Sequence, residues 1–580
     1  MTEKMTDIKT ALIDGYLDEP SALGVPPYIS PHIRYLFGAL VDGGISREDI
    51  DYFTADGLRE RMDFRSPEQK ESTPLEDYDL VLVMAGTTVP GNYLRGRPLS
   101  LAEIGDLSHN VGYPTLVLCG PITMVLDELP GSGEIRHNFD IISGELAAAD
   151  IYLRLCRQED AGGSIDPDQL ASDLKPGGGE KIAEALGIWS RHGAELFSRH
   201  PHHPRLVAEI ETYRGCPRQG HCKFCSEQLK QISYQRRPEQ IIAEVEAIAA
   251  RGVHNYRLGC QTDLLGYSGR NRKPSDKKIK LQALEELYSG IHEADGELNV
   301  LHLDNINPGP LARNRGRGRR ALKIITKYNT PGDVAAFGLE SADPRVLRAN
   351  NIDTDVELTL EAIRMVNEIG GRKQDGIPQL LPGINFLYGL EGERPQTYRY
   401  NFELLEKIME EDLLLRRINV RQVNPLGRYE SVEVDRNRFE EFKQRVNQEI
   451  NKPMLQKVFP RGTLLTGLWP EKLEGKLTYA RQPGSYPILV GIPGDHMEKE
   501  QMQARVIDHG YRSITALAHP FYVDQAGLAE LEQIPGIGSS RASRIMAERP
   551  QSPEELRELL GPSFPWQEWR EIFSFSTGDR

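Results

Sequence analysis

Six short apolar segments between residues 205 and 427 alternate with helical patterns, which restricts this part of the chain to a few parallel α/β architectures. The segments span residues 206–210, 256–259, 299–304, 334–339, 384–388 and 418–423. Strands that alternate with helices form parallel sheets with the helices packed against them. The polar residues after each strand then meet at the carboxyl edge, where such folds build their sites. We therefore predict a parallel α/β unit with a site at that edge.

Residues 1–158 contain a second unit of the same type. Its predicted strands span residues 10–17, 78–84, 114–118 and 139–143, with helical patterns between them. We predict a doubly wound sheet, a fold that binds its ligands at the carboxyl ends of the strands. Residues 159–204 are predicted to be a linker and a helix, because residues 160–179 are rich in Gly, Asp and Pro.

The first strand of the 205–427 unit leads into a loop that holds three of the six cysteines of the chain. Residues 211–227 read ETYRGCPRQGHCKFCSE and contain Cys216, Cys222 and Cys225. Thiolates this close together bind zinc or an iron–sulfur cluster. A structural zinc site takes four ligands, and His221 could be the fourth. A cluster held by three thiolates keeps one iron open for a substrate or cofactor, so both interpretations stand at this point.

The loop resembles the cluster loop of the radical S-adenosylmethionine (SAM) enzymes, which usually reads Cys-x3-Cys-x2-Cys with an aromatic residue before the last cysteine. Cys222, Phe224 and Cys225 match the second half of that motif. The first gap departs from it, since five residues separate Cys216 from Cys222. The segments LGCQTDLLGY, FGLESADPRVLRANN and PGINFLYGLEGERPQTY resemble the second-, fourth- and fifth-strand regions of such enzymes. The resemblance covers residues 205–427 and implies a partial (β/α)6 barrel.

The resemblance also implies cofactors and a mechanism. Radical SAM enzymes bind a [4Fe–4S] cluster and SAM, and receive electrons from a donor such as ferredoxin or flavodoxin. One electron from the cluster breaks the sulfonium bond of SAM and produces a 5′-deoxyadenosyl radical. The resemblance places Phe224 and Gly389 near the adenine, Gly259 and Gln261 near the methionine moiety, and Asp304 and Glu340 near the ribose or substrate. For each polar residue the alternative is an ordinary hydrogen bond at the barrel mouth. No catalytic residue is assigned.

The order of the units resembles that of methylthiotransferases and of cobalamin-dependent radical enzymes, which carry a doubly wound domain ahead of the cysteine loop. Cobalamin binding in that domain typically uses Asp-x-His-x-x-Gly, and none of the 14 histidines here lies in that pattern. Methylthiotransferases bind a second cluster there through three cysteines, whereas this chain has Cys119 and Cys156, both predicted to be buried thiols. We expect a degenerate relative, a lid or substrate platform that binds neither cobalamin nor a second cluster.

The carboxyl-terminal residues resemble nucleic-acid-binding modules. Residues 428–520 are predicted to form a connector helix and a small β-barrel or sandwich, where methylthiotransferases have an RNA-binding β-barrel. Residues 521–580 include LAELEQIPGIGSSRASRIMAE, which resembles a helix–hairpin–helix motif in an archaeal type of architecture. In that motif the backbone N–H groups around Gly536, Ile537 and Gly538 face a phosphate, and Arg541 would add charge. The alternative is a module that only packs or binds protein.

A second predicted nucleic-acid contact is the run RNRGRGRR at residues 313–320, which contains Arg315 and Arg317. We predict a flexible cationic loop that binds phosphate through arginine, and the alternative is a solvated loop. Residues 270–280 form a weaker basic run. The net charge of −15 argues against a protein that coats nucleic acid through its overall charge, but it permits local basic patches.

The composition favours a cytoplasmic protein that does not bind membranes. No apolar run approaches the roughly 18 residues that span a bilayer, and the first residues show no secretory pattern. Six cysteines in 580 residues are too few for a disulfide framework, and a thiolate-bound cluster needs a reducing compartment.

Together these patterns favour a radical SAM enzyme that modifies a nucleic acid, with a tRNA base as the expected substrate and methyl or methylthio transfer as possible reactions. One alternative is the same chemistry on a protein or small molecule. Another is a non-catalytic iron–sulfur protein that binds nucleic acid.

Overall fold

The computed structural model describes residues 8–18, 23–62, 75–86, 96–110, 114–129, 131–144, 146–158, 164–175, 178–218, 220–270, 278–374, 376–425 and 429–576. The chain is an α/β protein with parallel sheets, as predicted, followed by a closed β-barrel and a group of short helices. Within these ranges, no helix is long and apolar enough to cross a membrane.

The amino-terminal part contains strands β1 (Thr10–Asp14), β2 (Tyr28–Ile29), β3 (Ile50–Thr54), β4 (Leu80–Met84), β5 (Thr115–Cys119) and β6 (Ile141–Ile142). Its helices are α1 (Pro31–Asp42), α2 (Ala55–Arg61), α3 (Leu101–Asn110), α4 (Ser132–Asn138), α5 (Ala147–Gln158), α6 (Pro167–Asp173), α7 (Glu180–Gly193) and α8 (Glu195–Arg199).

Five of these strands form a parallel sheet in the order β3-β1-β4-β5-β6. Successive residues of β1 pack into different cores, Ala11 and Ile13 on one face and Leu12 on the other. Both faces are therefore covered, as a doubly wound sheet requires. The sequence analysis misses β3, because its IDYFT segment carries the exposed Asp51 at the edge of the sheet.

The central part contains strands β7 (Val207–Glu211), β8 (Tyr213–Arg214), β9 (Tyr234–Gln235), β10 (Asn255–Gly259), β11 (Val300–Leu303), β12 (Asp333–Glu340), β13 (Lys373–Gln374), β14 (Ile377–Pro378), β15 (Leu380–Tyr388) and β16 (Arg417–Gln422). Its helices are α9 (Pro238–Ala249), α10 (Leu281–Ala294), α11 (Pro308–Arg313), α12 (Arg315–Tyr328), α13 (Pro344–Ala349), α14 (Val356–Gly370) and α15 (Pro395–Glu410).

The main central strands form two parallel sheets, β2-β7-β10-β11 and β12-β15-β16, which a parallel bridge between Asn305 and Ala336 connects. The six predicted strands therefore follow one another in chain order. The edge strand β2 comes from the amino-terminal part and pairs through Tyr28 with Val207. A strand of two residues gives no periodic pattern, so β2 could not be predicted from the sequence. Residues 426 and 427, the predicted end of this unit, lie outside the described residues.

The amino-terminal and central parts share one hydrophobic core, which runs from Leu12 through Ile33 to Ile384. Helices α1 and α7 cross closely where Gly38 meets the Trp189 carbonyl and Gly193 meets the Arg34 carbonyl. A Cβ at either glycine would collide with that backbone. The doubly wound sheet is therefore held firmly against the unit that carries the cysteine loop.

A buried ionic group, here called the arginine clamp, joins the same two parts. It consists of Glu244 on α9 between Arg34 of α1 and Arg236, and all three side chains are fully buried. The Arg236 guanidinium lies 2.6 Å from Glu244 and also donates to the carbonyl of Glu211 at 3.0 Å. The clamp thus ties α1 and α9 to the end of β7, directly before the cysteine loop.

The prediction of a flexible cationic loop at residues 313–320 is wrong, because most of that run lies in helix α12. Gly318, Ala321, Leu322 and Ile325 are buried at helical spacing. Gly318 also permits a close approach, since a Cβ there would lie 2.7 Å from the Leu311 carbonyl oxygen. Packing of this apolar face outweighs the cost of glycine in a helix.

The predicted linker at residues 160–179 contains helix α6, which the sequence analysis misses. Asp166 caps it by accepting from the backbone N–H groups of Asp168 and Gln169. Residues 159–163 and 176–177 of this segment lie outside the described residues. The Asp and Pro residues that suggest a linker here start a short helix instead.

The carboxyl-terminal part begins with helix α16 (Arg436–Arg445), a π-helical turn (Val446–Asn451) and helix α17 (Lys452–Val458). Strands β17 (Leu464–Glu474), β18 (Leu477–Arg481), β19 (Leu489–Pro493), β20 (Met502–His509) and β21 (Ser513–Ala518) follow. The last elements are β22 (Phe521–Tyr522), α18 (Leu528–Leu531), α19 (Ser539–Glu548), α20 (Pro553–Leu560), α21 (Trp566–Trp569) and β23 (Phe573–Ser574). The five long strands close into a barrel in the order β17-β18-β19-β21-β20. Of the two predicted forms, the structure therefore has the barrel.

Candidate active site

The cysteine loop leaves the carboxyl end of β7 and is bracketed by a short antiparallel pair, β8 and β9. Tyr213 pairs with Gln235 and Arg214 with Tyr234, so the loop returns beside its own start. Gly215 begins the turn with φ of +94°, a conformation that favours glycine. The three cysteines are thus held at the end of the first main strand, as predicted.

The three thiols lie close enough to influence one another. The pKa of Cys225 is raised to about 12, chiefly by burial and to a smaller extent by Glu227, Cys222 and Cys216. Burial also raises the pKa values of Cys216 and Cys222. Arg218 donates from Nη1 to the Cys222 sulfur at 2.9 Å. In the described ranges, no three His, Cys, Asp or Glu side chains are close enough together to bind a single metal ion.

Residues after β12 hold the cysteine loop from one side. The Asn350 carbonyl accepts from the Lys223 N–H at 3.1 Å, and Asn351 donates its side-chain amide to the His221 carbonyl at 3.1 Å. Arg218 donates to the Asn351 carbonyl at 2.7 Å. The end of the segment FGLESADPRVLRANN therefore touches the loop itself, across more than a hundred residues of sequence.

Residues after β15 hold the loop from another side. Lys223 pairs with Glu391 at 2.7 Å, and the Phe224 ring lies 6.3 Å from the Tyr429 ring, edge to face. The Tyr429 hydroxyl accepts from the Glu391 N–H at 2.8 Å. Gly389 has φ of +87° and donates its N–H to Glu393 at 2.5 Å. Three segments recognised separately in the sequence therefore meet around the thiols.

Glu340 lies at the carboxyl end of β12, beside this loop. Its φ of +64° follows an irregularity in the pairing of β12 with β15, and such strained backbone is found at functional sites. Burial raises the pKa of Glu340 to about 8, although Arg421 opposes this shift. The proximity of Glu340 also raises the pKa of Cys222. A carboxyl group that is largely protonated at neutral pH thus stands near the thiols.

Gln261 and Gly259 serve the packing of the strand ends. Gln261 is buried, accepts from the Thr212 hydroxyl at 3.2 Å and donates to the Leu258 carbonyl at 2.8 Å. A Cβ at Gly259 would collide with the Glu209 carboxylate. Gln261 therefore makes internal hydrogen bonds at the strand ends, and the Glu209 carboxylate leaves no room for a side chain at Gly259. Their places near the methionine moiety stay predictions.

Asp304 belongs to an interior cluster with Glu209, Arg257 and Tyr486. Arg257 pairs with Glu209 and lies 2.5 Å from Asp304. The Tyr486 hydroxyl donates to the same Asp304 oxygen at 2.5 Å. Tyr486 lies in the β18–β19 loop of the small barrel. This loop is far from Asp304 in the sequence and contains no recognisable sequence motif. The sequence analysis therefore misses both Arg257 and Tyr486.

The β18–β19 loop packs closely against the central unit. The Ser485 N–H donates to His302 Nδ1 at 2.9 Å, and the Arg257 Nε donates to the Ser485 hydroxyl at 3.0 Å. The Arg417 guanidinium lies 3.9 Å from the centre of the Tyr486 ring. A Cβ at Gly484 would collide with the His302 ring. The small barrel is thereby attached to the strands that carry the site.

We expect Gly484→Ala to weaken this attachment, because the new methyl group overlaps His302. Overpacking of this kind costs about 1–3 kcal/mol of unfolding free energy, which a thermal melt would show. Gly475→Ala is the matched control, since Gly475 also has a positive φ of +62° but a Cβ there meets no described atom within 4 Å. If both variants lost the same unfolding free energy, the loss would come from backbone strain and not from the overlap with His302.

The predicted nucleic-acid residues fall into two distant places. Gly536 has φ of +92° in the turn between α18 and α19, and Gly538 caps α19. Ile537 is buried and donates its N–H to the Ile534 carbonyl at 2.8 Å, so it packs the turn. Arg541 donates to the Gly536 carbonyl and the Ser563 hydroxyl, both at 2.6 Å. The packing and hydrogen bonds of these residues thus fix the conformation of the turn.

Arg315 and Arg317 lie on α12 but face different neighbours. Arg315 pairs with Glu361 of α14 at 2.8 Å, whereas Arg317 donates to the Ile279 carbonyl at 3.0 Å. The structure therefore separates two arginines that the sequence analysis groups together.

Comparisons with known proteins agree with this geometry. Residues 210–405 match the Radical SAM superfamily. An uncharacterized protein from Archaeoglobus fulgidus is 38% identical over 91% of this chain and 93% of its own length. Another, from Methanocaldococcus jannaschii, is 36% identical over 87% of this chain and 92% of its own length.

The solved structures to which this chain is similar include the radical SAM methyltransferase TsrM from Kitasatospora setae, with tryptophan substrate and a SAM analog bound. It is 15% identical and has a TM-score of 0.45, covering 70% of this chain and 72% of that chain. The cobalamin-dependent SAM radical enzyme OxsB, with aqua-cobalamin and SAM bound, is 11% identical with a TM-score of 0.44, covering 78% and 56%.

The residues of the loop fit the cofactors of that family. Three soft sulfur donors come from one half-buried loop, and three thiolates match the ligand set of a [4Fe–4S] cluster with one open iron. The cofactors of this protein are a [4Fe–4S] cluster and SAM. Residues 210–405 form a radical SAM domain, and the protein is a radical SAM enzyme.

Proposed function

We propose that this enzyme modifies a nucleic acid, with a tRNA base as the substrate. The single observation that carries the proposal is the turn between α18 and α19. Gly538 caps α19, and a Cβ at Gly538 would meet no described atom within 4 Å. The first N–H groups of a helix have no partner within the helix and attract phosphate. The turn therefore presents an open, positive helix end, as in a helix–hairpin–helix motif.

The rest of the carboxyl-terminal part supports this role. Leu531, Ile534 and Ile537 bury the inner side of the turn against Trp569, so its conformation is fixed by packing. The Ser539 hydroxyl donates to Glu532 at 2.6 Å and links α18 to α19. Arg544 is exposed on the same helix. A rigid turn with an open outer side suits phosphate contact better than internal packing alone.

In the active site, Cys216, Cys222 and Cys225 would hold the cluster, in the loop that follows the carboxyl end of β7. We propose that the central strands form a partial barrel around it. When bound, the cluster supplies the electron that cleaves SAM. Arg218 would donate to a cluster thiolate, and such hydrogen bonds tune the redox potential. We propose the following SAM contacts: Phe224 and Gly389 near the adenine, Gly259 and Gln261 near the methionine moiety, and Asp304 and Glu340 near the ribose or substrate.

We propose further that a ferredoxin or flavodoxin supplies the electrons and that the protein works in the cytoplasm. The doubly wound sheet serves as a platform under the cysteine loop. Met84 and Gly120 at its carboxyl edge lie across a cavity of about 50 Å³ from Leu229 and Lys230. That volume holds only a few water molecules, which favours a packing role.

We expect Gly538→Leu to weaken the binding of unmodified tRNA, because the added side chain covers the start of α19. Loss of one charge-assisted hydrogen bond, worth about 1.5–3 kcal/mol, lowers affinity roughly 10- to 100-fold. Filter binding or fluorescence anisotropy at constant salt measures this change. Gly296→Leu is the matched control, since Gly296 also has open space around its Cα but lies after α10.

Equal tRNA affinity in Gly538→Leu and wild-type protein would count against the nucleic-acid proposal. The same chemistry on a protein or small molecule would then be favoured, and the turn would be a packing module. Formation of 5′-deoxyadenosine by the variant in the absence of RNA shows that its active site is intact.

A further inference from the structure

The two basic runs of the sequence meet in one groove on the central unit. The groove has a volume of about 620 Å³ and is lined by six cationic side chains: Arg237, Arg270, Lys278, Lys280, Arg317 and Arg320. Two carboxylates, Glu239 and Glu286, also line it. Four excess positive charges in one groove contrast with the net charge of −15 of the chain. Residues 271–277, the middle of one run, lie outside the described residues.

Helix α12 divides its arginines between this groove and the opposite side. Arg315 and Arg319 pair with Glu361 and Glu368 of α14. Arg317 and Arg320, three residues apart and therefore on one face, line the groove. Arg317 is held in place because it donates to the Ile279 carbonyl at 3.0 Å. On α12, the two arginines that line the groove are thus distinct from the two that pair with α14.

Two helices also begin at the groove. Pro238 and Leu281 are the first residues of α9 and α10, which are 12 and 14 residues long, and both line it. The start of a helix carries partial positive charge and exposed N–H groups, both of which favour phosphate. The cationic side chains and the two helix ends therefore both favour the binding of phosphate.

The groove lies on the side of the central unit that carries the cysteine loop. In a parallel β/α unit, each helix that follows a strand begins at the carboxyl edge of the sheet, where the thiols also stand. A direct link supports this placement, because Gln235 of β9 accepts from the Ser268 N–H at 3.0 Å. Gln235 pairs with Tyr213, three residues before Cys216. Ser268 lines the groove.

We propose that this groove binds the phosphodiester backbone of the RNA substrate and holds the strand beside the active-site mouth. The inference rests on the proposed function, and it adds a site that is separate from the α18–α19 turn. Arginine and lysine side chains with two helix ends suit several adjacent phosphates rather than one carboxylate. Phosphate contacts of this kind position a strand without reading its bases.

The test compares two double variants that remove the same charge from the same helix. Arg317→Gln with Arg320→Gln changes the groove, whereas Arg315→Gln with Arg319→Gln changes the ion pairs with α14. The affinity for bulk unmodified tRNA is measured for full-length protein between 50 and 200 mM salt, an interval of about fourfold over which phosphate contacts have a strong effect. We expect the groove variant to lose about tenfold in affinity, and the negative slope of log K against log salt to become shallower by about 1.4–1.8. The control variant should keep the wild-type slope.

The outcomes separate the two proposals. If wild-type protein shows no salt-sensitive tRNA binding, the proposed function and the groove assignment both fail. If wild-type protein binds tRNA and both double variants keep its affinity and slope, the groove assignment alone fails. Inorganic tripolyphosphate serves as a second probe. Loss of tripolyphosphate binding with unchanged tRNA binding would identify a site for a small phosphate compound and overturn the RNA assignment. RNA-independent 5′-deoxyadenosine formation should stay at the wild-type level in all variants.

Discussion

Replacement of Cys216, Cys222 or Cys225 by alanine should abolish the release of 5′-deoxyadenosine from SAM. In the proposed cluster each of the three thiolates would bind one iron, so the loss of any one of them would leave a second iron without a protein ligand. We expect the iron content after anaerobic reconstitution and the deoxyadenosine yield to fall to background. Iron and sulfide analysis with chromatography of the products would measure both.

Cys156→Ala is the matched control for this series, because Cys156 is only half-buried and lies outside the loop. It should keep the wild-type iron content and deoxyadenosine yield. Arg218→Gln should be intermediate, since it removes the hydrogen bond to the Cys222 sulfur but leaves all three ligands. A loop variant that retains both iron and activity would show that the cluster is bound elsewhere.

Glu244→Gln should cause a large loss of stability. The variant removes the carboxylate that pairs with both buried cations, Arg34 and Arg236. Breaking a buried ion pair in this way costs about 3–5 kcal/mol. We expect an apparent melting temperature lower by roughly 10 °C, given the size of the unit. Glu246→Gln, on the exposed side of the same helix, is the control and should change little.

The arginine clamp also gives a dependence on pH. Burial opposes ionisation of Glu244, but Arg236 and Arg34 outweigh it and lower the pKa of this carboxyl group. A carboxyl group with a lowered pKa in the folded state stabilises the protein above its unfolded pKa of about 4.3. That contribution is lost as the pH falls through the folded value. The stability difference between wild type and Glu244→Gln should therefore shrink in acid, and a constant difference would argue against a charge effect.

The sequence was sufficient for features with local signals. The parallel α/β class follows from apolar segments at regular intervals, and the superfamily follows from Cys222, Phe224 and Cys225 with their flanking motifs. Strand positions agree within a few residues; for example, the predicted segment 256–259 is observed as Asn255–Gly259. These features could be predicted because each of the sequence signals lies within a short stretch of chain.

Features built by distant contacts could not be predicted. Strand β2 has two residues and exists only because Val207 is available to pair with Tyr28. The insertion of Tyr486 toward Asp304 joins residues 182 positions apart. The arginine-rich run misled local reasoning, since its glycines suggest a loop while its buried apolar face makes a helix. In each case tertiary packing decides a structure that local preference leaves open.

The most direct measurement of the central claim is electron paramagnetic resonance of the reconstituted, reduced protein with and without SAM. An open iron on a cluster held by Cys216, Cys222 and Cys225 predicts a [4Fe–4S]⁺ signal whose g values change when SAM is added. Protein that contains zinc in place of iron, or a cluster signal that SAM leaves unchanged, would contradict it.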